Sequence, residues 1–161
     1  MPGIVSNSTP LIHLAKIDEL QLLHNFYGQV LIPQAVYDEC VTEGKAYKDA
    51  GLIAQTDWLT VKGVEDRNLV ISLNAELDRG ESEAIALALQ EQSDLLLLDD
   101  AEGREKARLY GLKYTGTLGI LLRAKLTHKL PSLRSALDRL QDTGFWLDNR
   151  LYQKLLQEAG E

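Results

Sequence analysis

Short apolar runs alternate with longer stretches of helical spacing along the chain. "GIVSN" (3–7), "VLI" (30–32), "WLTVKGV" (58–64), "LLLL" (95–98) and "KYT" (113–115) read as strands, with 58–64 at an edge. Between them, "LIHLAKIDELQLLHNF" carries apolar residues at 11, 12, 14, 17, 20, 22 and 23, a spacing that predicts one helix, closed by Gly28. Thr9 reads as its cap and Pro10 as its first helical position. Further helices are expected over "PQAVYDECVTEG", opened by Pro33, "NLVISLNAEL", "ESEAIALALQEQ" and "EGREKARLYG", the last stopped by Gly111. "GTLGILLRAKL", with Thr117 as a cap, and "LPSLRSALDRLQDTG" complete that set. The tail "LDNRLYQKLLQEA" places leucines at 147, 151, 155 and 156, a stripe suited to docking on a core. Strands that alternate with helices predict a parallel sheet covered on both faces. One α/β domain over residues 1–161 is expected, with helices from about 131 to 159 packed on it.

Charge changes this picture by its placement. The net charge is −7, which argues against a generic nucleic-acid coat. Residues 104–139 carry nine Lys/Arg against Glu105 and Asp138, so that segment is +7 and the remainder −14. A face that attracts phosphate can therefore lie beside a strongly acidic site, although solvated helix faces give the same count. The single cysteine, Cys40, excludes an internal disulfide, and His13, His24 and His128 are too scattered for a zinc motif. The start lacks the features of a signal peptide and no stretch is long and apolar enough for a membrane helix, so the cytoplasm is the expected compartment.

Candidate chemistry follows from the topology. In open parallel sheets ligands bind beyond the carboxyl ends of the strands. The first strand ends at Asn7, beside Ser8, and "LLLL" runs straight into Asp99 and Asp100. Glu39 and Glu83 stand near the starts of helices that should border the same edge. Carboxylates gathered without basic partners repel each other, and hard oxygen ligands select Mg2+ or Mn2+. Such an ion supports phosphodiester cleavage by a water activated at neutral pH. Each residue also has a plain role: Asp99–Asp100 and Asn7–Ser8–Thr9 as caps, and Glu81 and Glu83 as acids that favour a helix N-terminus. Glu39 could equally be a solvated helix residue. Their joint location carries the argument. Arg104 and Arg108, one helical turn apart, suit the substrate backbone, or else a salt bridge to Glu102 or Glu105. A dinucleotide-binding reading finds no Gly-x-Gly-x-x-Gly after the first strand.

Taken in order, "IVSNSTPLIHLAKI", "VLIPQAVYDE", "LDRGESEAIALAL", "LLLLDDAEGREKARLYGL" and "GTLGILLRAK" resemble the PIN-domain proteins, most of all the short prokaryotic branch related to VapC-type toxins. The resemblance runs from Ile4 to about Lys129, and the final helix also suits that branch. It implies a three-layer α/β/α fold with a short central parallel sheet and additional C-terminal helices. It also implies an Mg2+- or Mn2+-dependent ribonuclease site built from Asn7, Glu39, Glu83 and Asp100, with Asp99 ligating or orienting a metal. Ser8, Arg104, Arg108 and Thr117 are then candidates for substrate contact, RNA the substrate, and an antitoxin encoded nearby a partner. One departure stands out: the family pattern has Asp where this chain has Asn7, which keeps an oxygen ligand and loses a charge. A catalytically weak RNA- or protein-binding module is the competing expectation. Leu22, Leu23, Phe26, Tyr27, Trp146 and Tyr152 offer more apolar stripe than a minimal core needs, which predicts a homodimer, and Trp58 and Trp146 read as packing residues.

Overall fold

A computed structural model describes residues 3–43 and 48–161. Five strands form one parallel sheet: β1 (Ile4–Ser6), β2 (Val30–Ile32), β3 (Leu59–Val61), β4 (Leu95–Leu97) and β5 (Tyr114–Thr115). Their order is β3-β2-β1-β4-β5, with Ile4 opposite Val30 on one side and Leu95 on the other. Around them run α1 (Ser8–Lys16), α2 (Gln21–Tyr27), α3 (Gln34–Tyr37), α4 (Lys48–Ala54) and α5 (Arg67–Leu73). They are followed by α6 (Arg79–Gln90), α7 (Ala101–Leu109), α8 (Thr117–Leu126), α9 (Leu133–Asp142) and α10 (Asn149–Glu158). This is the three-layer α/β/α arrangement that the resemblance implies.

The period of two along each strand divides the core into two layers. Leu97 packs into a cluster with Leu11, Leu14, Ile120, Leu121, Leu133 and Leu137, with Ile4 and Leu95 against it. Val5, Leu96 and Leu98 point the other way, into a cluster with Ile85, Leu87 and Ala107. That double burial is why "LLLL" shows no polar alternation. Stripes of α9 and α10 pack on the first layer through Leu140, Leu155 and Leu156.

Several boundaries differ from the sequence pattern. The apolar spacing over 11–26 continues, yet the chain breaks between α1 and α2, where Asp18 adopts φ 59°. Leu20, Leu22 and Leu23 still reach the same core, so burial keeps the period while the backbone turns. Asn7, not Thr9, is the N-cap of α1, and its side chain makes no cap hydrogen bond. Gly116, not Thr117, caps α8. The second helix continues past Tyr37 as a π-helical turn, Asp38–Thr42; Gly44, its expected end, lies outside the described residues. Trp58 packs in the core at 4% exposure, but Trp146 is 83% exposed and is no packing residue, because it lies in the loop before α10 rather than on its apolar stripe.

The strand order fixes where chemistry can sit. The chain leaves β1 towards β2 and β3, then returns on the opposite side with β4 and β5. The switch point therefore lies between the carboxyl ends of β1 and β4, where an open α/β sheet leaves a crevice. No described helix is long and apolar enough to cross a membrane.

Candidate active site

Asn7 and Asp100 flank that switch point. The Asn7 N–H donates to the Leu97 carbonyl at 2.9 Å, carrying the ladder one residue beyond β1. The Asn7 side chain is 3% exposed, and its Oδ1 has no hydrogen-bond partner. A buried amide oxygen without a donor costs about 1–3 kcal/mol, a debt a bound cation would offset. Asp100 caps α7, accepting from the Gly103 N–H at 2.8 Å, and remains exposed.

Glu39 reaches this edge from the π-helical turn. Extra residues in such turns redirect side chains and recur at functional sites. The Ser8 hydroxyl donates to Glu39 Oε2 at 2.6 Å, tying the start of α1 to that turn. A Cβ at Gly80 would overlap the Glu39 carboxylate, so a larger residue there makes Glu39 move. Burial raises the Glu39 pKa above its ordinary value, with Asp78 and Glu43 adding repulsion against the hydrogen bond from Ser8.

A second acid of this edge is Glu81, whose carboxyl feels the charge of Asp100. It is 8% exposed and closes a capping box with Asp78: Glu81 N–H donates to Asp78 Oδ1 at 2.8 Å, and Asp78 N–H to Glu81 Oε1 at 3.0 Å. Burial, followed by the charges of Asp78 and Asp100, lifts the Glu81 carboxyl to about 7.

Glu83 lies two residues further along α6, roughly 200° around the helix. Its carboxylate takes other partners: Ala35 N–H to Oε1 at 3.1 Å, Arg67 Nη2 to Oε2 at 3.2 Å, and Arg79 Nε 3.5 Å from Oε2. Asp99 also turns from Asp100. It accepts from the Thr117 N–H and hydroxyl, both at 2.7 Å, with His13 Nδ1 3.4 Å away and Arg104 Nη2 at 4.0 Å. Burial pushes the Asp99 carboxyl up, but His13 and the two Thr117 donors together outweigh it and leave it below the carboxylate range. Thr117 is fully buried and acts through Asp99.

Arg104 donates from Nε to the Leu98 carbonyl at 2.7 Å and lies 5.2 Å over the Tyr114 ring. It lines a cleft of about 370 Å³ beside Asp99, with Tyr114, Gly116, Phe145 and Leu151. Arg108 pairs with Glu105 on the exposed face of α7.

Of the expected residues, Asn7 and Asp100 follow β1 and β4, and Ser8 is bonded to Glu39; Glu81 is bonded to Asp78. Glu83, Asp99 and Thr117 are held by other partners. Among the described residues no three His, Cys, Asp or Glu side chains are already arranged around one metal position. The donor chemistry still fits a hard divalent cation: oxygen ligands only, one orphaned amide oxygen, and two carboxyls whose ionisation is opposed by burial and by neighbouring acids. Glu81 was visible in the sequence as a first-turn acid. How far it feels Asp100 depends on the rotation of α6, which spacing alone does not set.

A family model described as a PIN domain matches residues 3–161. No curated protein matches the chain.

Proposed function

The chain belongs to the PIN-domain family, and from that premise we propose a divalent-metal-dependent endoribonuclease, the toxin component of a VapC-like toxin–antitoxin pair, working as one unit over residues 1–161. The family supports a nuclease, and so a hydrolase in the broad sense. The finer reading is supported by one observation: the buried Oδ1 of Asn7, directly after β1 at the switch point, has no hydrogen-bond partner.

Asn7, Glu39, Glu81 and Asp100 are the residues that would hold Mg2+ or Mn2+. When bound, such an ion supplies Lewis acidity and a water activated at neutral pH. The remaining work belongs to the chain. Ser8 fixes Glu39 by its hydroxyl, and the Asp78 cap fixes Glu81. The Glu81 carboxyl, raised to about 7, must lose its proton before it can serve as a ligand, so rising pH favours loading. Asp99 holds the start of α8 through Thr117 and thereby shapes the cleft. Arg104 and Tyr114 offer a charged and stacking edge for a single RNA strand. Arg108 would add charge further along α7. The apolar wall of Phe145 and Leu151, next to the exposed Trp146, suits an antitoxin segment. A homodimer and a cytoplasmic compartment belong to this reading.

Cleavage of labelled single-stranded RNA with Mn2+, repeated with Glu81→Gln, Glu83→Gln and Asp100→Asn, tests the reading. Metal-dependent cleavage abolished by Glu81→Gln and Asp100→Asn supports the enzyme. A specific observation favours a second reading: Asn7 lacks the charge of the family's aspartate, which suits a catalytically weak binding module. RNA binding without cleavage in any divalent metal would select that alternative.

A further inference from the structure

Glu83 is 2% exposed, and a buried carboxylate is costly unless fully partnered. Its partners are the N–H at the start of α3 and two guanidinium groups. Both arginines nevertheless have side chains 56% exposed. Arg79 also reaches Asp38 Oδ2 at 3.4 Å, which spans the gap between α6 and the turn that bears Glu39. Arg79 immediately precedes Gly80 and Glu81, so it borders the acidic site. These contacts use one N–H of Arg67 and two of Arg79, out of five on each guanidinium.

We propose that Arg67 and Arg79, aligned by the buried Glu83, form a phosphate-gripping rim beside the acidic site that holds the backbone of a single-stranded RNA, with Glu83 a positioning residue. The proposal rests on the ribonuclease reading for the identity of the polyanion. Its physical need is plain: the chain carries a net charge of −7, and an acid cluster repels the phosphates it must approach. A fixed guanidinium pays little entropy on meeting phosphate, because Glu83 already restricts its rotamers. The opposing view is a purely structural ion-pair network.

Binding of a short fluorescein-labelled single-stranded RNA is measured by anisotropy in EDTA over a range of salt. Arg67→Ala and Arg79→Ala each weaken binding severalfold and reduce the log–log salt slope by about 0.7, the value for one phosphate contact on a single strand. Lysine at either position recovers part of the binding, and Lys129→Ala, on the turn after α8, has no effect. Glu83→Gln keeps an acceptor for Ala35 but frees both arginines. It weakens RNA binding while Mn2+ affinity, measured calorimetrically without RNA, stays at the wild-type value. Wild-type binding and slope in both arginine variants would overturn the rim, as would a loss of Mn2+ affinity in Glu83→Gln. If wild-type protein binds RNA and cleaves it while the arginine variants bind equally well, the rim alone falls. If wild-type protein binds no RNA, the rim falls together with the ribonuclease reading.

Discussion

Glu81→Gln should stabilise the metal-free protein at alkaline pH while weakening its hold on divalent cations. Glutamine retains the oxygen that accepts the Asp78 N–H, so the capping box survives. What disappears is a carboxyl that the fold protonates more readily than the unfolded chain does. Its pKa rises from an ordinary 4.5 to about 7. A group raised in this way favours the folded state fully below about pH 4.5, and that contribution is lost as pH climbs through about 7. At 1.4 kcal/mol per tenfold the full shift is worth about 3 kcal/mol, and solvent at the exposed Asp100 screens this to ~2 kcal/mol. For a chain of this length, each kcal/mol moves Tm by roughly 2–4 °C. The Gln variant should therefore melt about 4–8 °C above wild type at pH 8 in EDTA, with the gap closing towards pH 4.5. Saturating Mn2+ should raise the wild-type Tm more than that of the variant, because binding to the folded state stabilises by mass action. Scanning calorimetry or dye-based melting across pH measures both effects. Equal melting temperatures at pH 8, or a variant that melts lower there, would refute the crowded-carboxyl argument.

Asn7→Asp adds a charge at the buried, unpartnered oxygen. It should tighten Mn2+ binding in a calorimetric titration and lower apo stability by about 1–3 kcal/mol, and unchanged affinity would place Asn7 outside the ion's reach. Gly80→Ala would drive a methyl group into the Glu39 carboxylate, so RNA cleavage should drop steeply while far-UV circular dichroism stays native. Thr117→Val removes one of two donors to Asp99 and should cost about 1.5–3 kcal/mol in urea unfolding at pH 7. Asp99 has a depressed pKa, so its contribution is present above the unfolded value and lost as pH falls through the folded one. The variant should therefore show a smaller loss of stability between pH 5 and 2.

Much of this protein was legible in its sequence because local physics decided it. The alternation of apolar runs with helical spacing, the uninterrupted Leu95–Leu98 and the stops at Gly28 and Gly111 are backbone and burial preferences read one segment at a time. The edge proposed for the site was legible as well, since strand ends in a parallel sheet define an edge, and Asn7 and Asp100 follow β1 and β4. Tertiary structure decided which acids share that edge. Glu81 and Glu83 carry the same side chain on one helix, but a rotation of about 100° per residue sends one to the Asp78 cap and the other to Arg67 and Arg79. Asp99 and Asp100 diverge likewise, one bound to Thr117 and the other capping α7. Composition places charge in a segment. Only the packed angle of the segment against its neighbours determines whether that charge meets another acid, an arginine or water.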